Sequence, residues 1–476
     1  MGDEIDRRHF SEADFARFSE ALEKETSLLR SWFNEGELSS RSAMGGFELE
    51  AWLVDKQAQP SANNVAFLDA LNNPLVVPEL ARFNVELNCT PQTLQGDALR
   101  RMQTELESTW QYCNEAAQSL DNDLVMIGIL PTIRDEDLTL ANMSQMTRYE
   151  ALNEQVMRLR LGRPLQLDIN GHEHLLSTHY DVMLEAAATS FQVHTQIPIK
   201  DSVRYYNAAM VSSAPLVAVS ANSPFIFGQD LWAETRIPLF EQAVELGGLG
   251  DARFGPMKRV SFGSGYAHDS VMECFTENQQ HFPILLPVEY DAPVEELKHL
   301  RLHNGTIWRW NRPLIGFDAD GTPHLRIEHR VIPAGPTIID AFANTAFYFG
   351  LQQAFMEQVT PIEQEIEFAH ARDNFYAAAK QGLQARLHWQ GQHVPVKTLL
   401  LEVLLPMARS GLESLTIDRD DINDYLGIIE ARIRNGQTGS VWQRQHAQQL
   451  NGDLRAMTAD YLHRQQQGLP VHEWEH

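Results

Sequence analysis

Cysteine is scarce in this chain: three residues in 476, Cys89, Cys113 and Cys274. They are too few and too scattered for a disulfide framework or a cysteine-built metal cluster, and they fit a reducing cytoplasm. Positive charge is scarce as well. Lys plus Arg number 38 against 64 Asp plus Glu, a net charge of −26. That balance argues against a nucleic-acid partner or an anionic membrane surface. It leaves room for a nucleotide, because one local basic cluster or a bound cation can hold phosphates. No stretch approaches the roughly 18 uninterrupted apolar residues of a membrane-spanning helix. The opening MGDEIDRRHF has neither the apolar run of a signal peptide nor the Ser or Thr that a myristoylation site places at residue six. Repeats, low-complexity tracts and long linkers are missing too.

What the chain does have is an ordinary globular composition, 43% hydrophobic and 21% charged, and five stretches that read as strands. The first is GGFELEAWLV, residues 45–54. The others are FNVELNCTP, the apolar run LVMIGILPT at 124–132, SFQVHTQIP and HLRIEHRVI. Between them, apolar spacing of three and four predicts helices over 10–34, 96–121, about 149–161, 202–221 and about 232–246, the last ending in a GGLG turn. Residues 248–300 read as loop-rich, and from Asp340 onward the chain reads as almost wholly helical. The expectation is an α+β protein with a curved antiparallel sheet and a helical C-terminal third. The expected division is an N-terminal helix over 1–40, a main α+β body over 41–390, and a helical extension over 391–476 packed on the same body.

Period two sorts the strand residues onto faces. In the first strand Phe47, Leu49, Ala51 and Leu53 point one way, and Glu48, Glu50 and Trp52 the other. The two glutamates are then about 7 Å apart on one face, and like charges that close repel unless a cation or a proton lies between them. Alone, the pattern is equally that of a solvated strand face. Three more strands repeat it: Glu86 in the second, His194 in SFQVHTQIP, and Glu328 with Arg330 in HLRIEHRVI, where His329 falls on the opposite face. If these strands share a sheet, the residues converge on one concave polar surface. Several carboxylates and one His suit Mg²⁺ or Mn²⁺. Arg330, on the same face as Glu328, is placed to neutralise a phosphoryl group in transfer.

The order GGFELEAWLVD, Glu79 and Glu86 seven residues apart, FQVHTQ and RIEHRV resembles the glutamate–cysteine ligase family. More closely, it resembles the second bacterial and plant-type branch, which includes carboxylate–amine ligases. The resemblance continues through MTRYEALNE at 146–154, ANSPFIFGQDLWAETRIPLF, RVSFGSGYAHDSVMECF, LHNGTIWRWNRP and NFYAAAKQGLQARL at 374–387. It covers roughly residues 40–390 and rests on order and spacing. It implies a glutamine synthetase-like catalytic fold and an ATP-dependent ligase that forms an amide through an acyl phosphate. The implied metal ligands are Glu48, Glu50, Glu79, Glu86, His194 and Glu328, holding two or three Mg²⁺ (or Mn²⁺) against ATP. Arg330 and Arg312 would contact the nucleotide, with Arg330 and Glu50 serving catalysis. Arg236, Tyr149 and Asn222 would bind substrate. The implied partners are small molecules, an amino-acid carboxylate such as glutamate and an amine such as cysteine, and the helical C-terminal third offers surface for a homo-oligomer. Two other functions fit the same pattern: a phosphotransferase of the guanidino-kinase type, and a catalytically silent metabolite-binding protein.

Other signals weigh less. The terminal HEWEH matches the zinc-protease pattern, but Pro470 precedes it and a chain end is expected to fray. Cys89 beside the second strand reads as a small buried hydrophobe. Trp308 and Trp310 read as core aromatics before they read as stacking platforms.

Overall fold

The computed structural model describes residues 4–41, 43–246 and 258–475. Its centre is the strand β1, Met44–Asp55. Around it lie β2 (Val76–Pro78), β3 (Asn84–Asn88), β4 (Gln92–Thr93), β5 (Asn122–Val125), β6 (Phe191–Ile197), β7 (Asn311–Phe317) and β8 (Pro323–His329). They form one eight-stranded sheet in the order β7-β8-β6-β1-β3-β2, with β4 and β5 pairing the two ends of β1. Every pair in it is antiparallel. The sheet curls into a half-barrel among many helices.

The apolar face of β1 is dry. Phe47 stacks on Phe191 of β6 at 5.2 Å between ring centroids and meets Phe342 edge-on at 5.5 Å. Phe342 belongs to a helix over Ile338–Glu357 that is buried on nearly all sides, as is the helix Ser202–Ser220. These two helices come from different thirds of the chain and cover the back of the sheet. The other face of the sheet stays open near its middle. Toward the end of β1, Trp52 lies on that open side of the strand and is fully buried against Phe83. There a second apolar cluster begins, with Leu80, Tyr149, Val182 and Leu286.

The N-terminal helix spans Glu12–Glu35 and starts at a capping box, Ser11 and Asp14. Phe18, Leu22, Leu29 and Trp32 form its buried stripe. The chain after residue 391 also packs on the sheet's surroundings. Arg432 donates to Asp340, Asn344 and the Val219 carbonyl, and Gln465 reaches the Met126 backbone.

Several expectations are corrected. The run 124–132 is a strand only as far as Val125; beyond it the chain becomes an irregular buried segment. The helix expected over 232–246 covers Arg236–Ala243, and its GGLG turn lies outside the described residues. The loop-rich stretch 248–300 contains a helix, Met272–His281. Alternation had also passed over a hairpin at Leu165–Asn170 and His174–His179. The strand β7 was hidden by Pro313, which an edge strand tolerates. A short hairpin, Arg386–Trp389 with Gln392–Pro395, interrupts the helical C-terminal third. The C-terminus does not fray as expected. Val471 and Trp474 are buried, and Gln437 donates to both their carbonyls, at 2.7 and 2.8 Å. His476 lies outside the described residues. No helix among the described residues is long and apolar enough to cross a membrane.

Candidate active site

Alternation sets a side chain's face, and register decides which residues meet on it. Glu50 of β1 lies opposite Glu86 of β3, and Glu48 lies between Asn88 and Gln192 of the flanking strands. His194 of β6 lies between Gly46 and Glu328, and Glu328 lies between His194 and Arg312. Val77 opposes Glu86, so Glu79, two residues on, comes to the same face. Directly opposed residues share a face. Four strands and one strand end therefore deliver six ligand-type side chains to one concave surface.

The six separate into two sets of three. Glu48, His194 and Glu328 each offer a ligand atom within 4.8 Å of the others, and so do Glu50, Glu79 and Glu86. The first set is charge-compensated. Its Glu328 accepts from Arg312 Nε at 2.9 Å, Arg312 Nη2 at 2.8 Å and Arg330 Nη1 at 3.1 Å. Burial works against ionising Glu328, but the two guanidiniums outweigh it and hold the carboxyl at about 2. Burial likewise disfavours charge on Glu48, and His194, with Nε2 3.5 Å from Glu48 Oε1, more than offsets it; the Glu48 carboxyl stays well below its usual range.

The second set is not compensated in this way. Burial raises the Glu79 carboxyl well above its usual range, and Glu86 and Glu50 push it further. Glu86 is raised to about 7 by burial and then by Glu48. Glu50 is raised by burial although Arg330 and the Ser190 amide pull the other way. That amide donates to Glu50 at 2.6 Å and Gln192 Nε2 donates at 2.9 Å. Glu79 Oε1 is buried without a hydrogen-bond partner, and His194 Nε2 meets only Glu48 Oε1, at 3.5 Å, among the described residues. Clustered carboxylates and orphaned ligand atoms of this kind fit a hard divalent cation at each set.

Both sets open into one cavity of about 290 Å³, which is also lined by Arg312, Arg326, Arg330, Tyr149, Glu185 and Trp308. Arg330, whose Cζ stands 5.5 Å above the Phe240 ring, feels both Glu328 and Glu50. It is a cation shared by the two sets. Tyr149 accepts from Arg148 at 3.0 Å and lies beneath that guanidinium.

Two residues expected at the substrate stand elsewhere. Arg236 is 2% exposed. It donates to Glu234 and to the carbonyls of Arg330 and Val331, so it braces the end of β8 from behind. Asn222 is fully buried and binds Ala334, Tyr461 and Gln443. Both are buried away from the cavity and are not among the residues that line it. His329, on the opposite face, is buried against Tyr348 and pairs with Asn311. Trp310 is a core residue donating to Glu241, whereas Trp308 borders the cavity. The Cys89 sulfur accepts from the Phe47 amide, and burial pushes its thiol up to about 12.

Among the cavity residues not singled out as site residues from the sequence are Arg326 and Glu185. Arg326 follows from the alternation that placed Glu328, two residues on. Glu185 sits in a single 3₁₀ turn, Met183–Ala187, where no periodicity marks a face.

None of the curated proteins compared with the chain matches it. Among solved structures it aligns with a glutamate–cysteine ligase from Francisella tularensis, solved in complex with AMP. That alignment has 12% identity and a TM-score of 0.52, over 92% of this chain and 90% of that one. The likeness shows a shared fold. A bifunctional glutathione synthetase from Pasteurella multocida aligns more weakly, at 9% identity and a TM-score of 0.48, over 93% of this chain and 54% of that one. A family model, that of glutamate–cysteine ligase family 2, matches residues 44–460; the chain belongs to this family.

Proposed function

We propose that this protein is an ATP- and Mg²⁺-dependent carboxylate–amine ligase on a glutamine synthetase-like catalytic fold. It activates a carboxylate such as that of glutamate as an acyl phosphate and joins it to an amine such as cysteine. The observation that carries the reading is the pairing of two three-residue ligand sets on one concave face with Arg330 between them. Membership of glutamate–cysteine ligase family 2 supports it, and so does the shared fold of a glutamate–cysteine ligase solved with AMP.

In this reading Glu48, His194 and Glu328 hold one cation, and Glu50, Glu79 and Glu86 another. Such ions supply the positive charge that lets phosphate and carboxylate oxygens approach each other. Arg330 stabilises charge developing on the phosphoryl group. Arg312 keeps Glu328 ionised and aligned through its two parallel hydrogen bonds. Tyr149 lies at the substrate end of the cavity. Arg236 and Asn222 hold the backbone around β8 rather than the substrate.

The test is phosphate release from ATP with Mg²⁺ and pools of carboxylic acids and amines. Release that needs both an acid and an amine is expected. A phosphorylated product without free phosphate would assign the site to a phosphotransferase. Silence with every pool would leave a metabolite-binding protein. Calorimetry should also show weak Mg²⁺ binding alone and tighter binding with a non-hydrolysable ATP analogue, since phosphate oxygens complete each Mg²⁺ shell.

A further inference from the structure

The cavity is not uniform. Toward the β7–β8 edge it carries Arg301, Arg312 and Arg326. Toward the β2–β3 edge its wall is apolar, formed by Leu80, Val182 and Leu286 of the second apolar cluster, and one acid interrupts that wall, Glu185. Among the described residues no hydrogen bond or ion pair reaches the Glu185 carboxylate. The charged and titratable groups it feels are Glu50 on β1, Glu79 after β2, Tyr149 on the helix Thr147–Leu159, and Arg330 after β8. A second unpartnered acceptor borders the same space. Gln192 is 3% exposed, spends its amide N–H on Glu50 and leaves Oε1 without a donor. Glu185, set in an apolar wall, with Gln192 on the same cavity, makes a site for a group that brings N–H donors and a hydrocarbon body.

We propose that Glu185 binds the acceptor amine as its ammonium and takes its proton, and that this acceptor is a primary amine with an apolar body. The inference rests on the ligase reading. A protonated amine has no lone pair and cannot attack. One N–H proton passes to Glu185 Oε, and the freed lone pair forms the C–N bond at the acyl-phosphate carbon. The C–O bond to phosphate breaks, phosphate leaves with that electron pair, and the second N–H proton of the amine goes to the departing phosphate, leaving a neutral amide. The proton on Glu185 is returned to solvent after the amide leaves. Nothing else at this end of the cavity offers a carboxylate outside the two ligand sets, among the described residues.

The test compares two nucleophiles on the intact protein with ATP, Mg²⁺ and a panel of carboxylic acids that includes L-glutamate. Hydroxylamine is largely unprotonated at neutral pH and traps an acyl phosphate as the hydroxamate without needing a base. n-Butylamine is protonated and needs one. The parent is expected to form both hydroxamate and N-butyl amide. In Glu185→Gln the ratio of butylamide to hydroxamate turnover should fall about a hundredfold at pH 7, the scale of a lost general base. It should recover as the pH rises toward that at which the amine loses its own proton. Equal losses with both nucleophiles, or an unchanged ratio, would overturn the assignment of Glu185. Hydroxamate without butylamide in the parent would overturn the apolar-amine class. No hydroxamate from the parent with any acid would instead remove the ligase reading beneath the proposal.

Discussion

Glu48, His194 and Glu328 share a concave face with Glu50, Glu79 and Glu86, yet the two sets are held in opposite electrostatic states. The first is compensated by Arg312, Arg330 and the imidazole, and its carboxyls are held low. The second is buried with less positive charge beside it, and its carboxyls are held high. The contrast teaches that ligand type does not fix the state of a site. The first set is neutralised by its own neighbours, whereas in the second a cation would relieve both burial and mutual repulsion.

The largest expected effect comes from disabling the uncompensated set. Glu86→Gln keeps shape but removes one anion, and turnover at saturating ATP should fall about a thousandfold, the scale seen when a preorganised charge partner is lost. Near-normal turnover would mean that this set holds no catalytic ion.

Next comes the residue shared by both sets. Arg330→Lys should lower turnover about a hundredfold, roughly 2.7 kcal/mol of transition-state stabilisation, because Lys cannot reproduce the planar fork. ATP affinity should change far less, since most of the benefit arises as charge develops in transfer. Turnover within a few-fold of the parent would return Arg330 to a plain ion-pair role with Glu328.

A smaller effect concerns stability. Mg²⁺ at a hundred times its Kd should stabilise the parent by about 2.7 kcal/mol per site, measured by denaturant unfolding. In Glu79→Gln that gain should shrink. Equal gains in parent and variant would place the bound ion outside the second set.

The smallest is a pH signature in chelator. Glu86 is raised in the folded protein from 4.5 to about 7, so the folded state holds its proton more tightly than the unfolded one. Its contribution is favourable below about 4.5 and is lost as the pH rises through about 7. Glu86→Gln should remove that decline, leaving the variant about 1 kcal/mol or more above the parent at pH 8. Glu328 has the opposite sign. Its stabilisation is present above about 4.5 and is lost only as the pH falls toward about 2, so Glu328→Gln should destabilise at pH 8. The same sign for both variants would erase the distinction between the sets.

By itself the sequence determined the strand faces. A period of two puts Glu48 with Glu50, and Glu328 with Arg330, on one side whatever else the chain does, and it puts His329 on the other, where the structure has it buried against Tyr348. The order of the polar strands along the chain was legible for the same reason. What only the tertiary structure decided is which strands are neighbours, and so which ligands group. Pairing β6 between β1 and β8 puts His194 with Glu48 and Glu328, while pairing β1 with β3 puts Glu50 with Glu86. Register is a long-range property, set by packing on the opposite face, and local alternation carries no trace of it. Arg236, Asn222 and Glu185 make the same point for single residues. An arginine that braces carbonyls and one that meets substrate have the same local sequence. A glutamate in one 3₁₀ turn has no period to betray its direction. Their roles depend on what the folded chain packs around them.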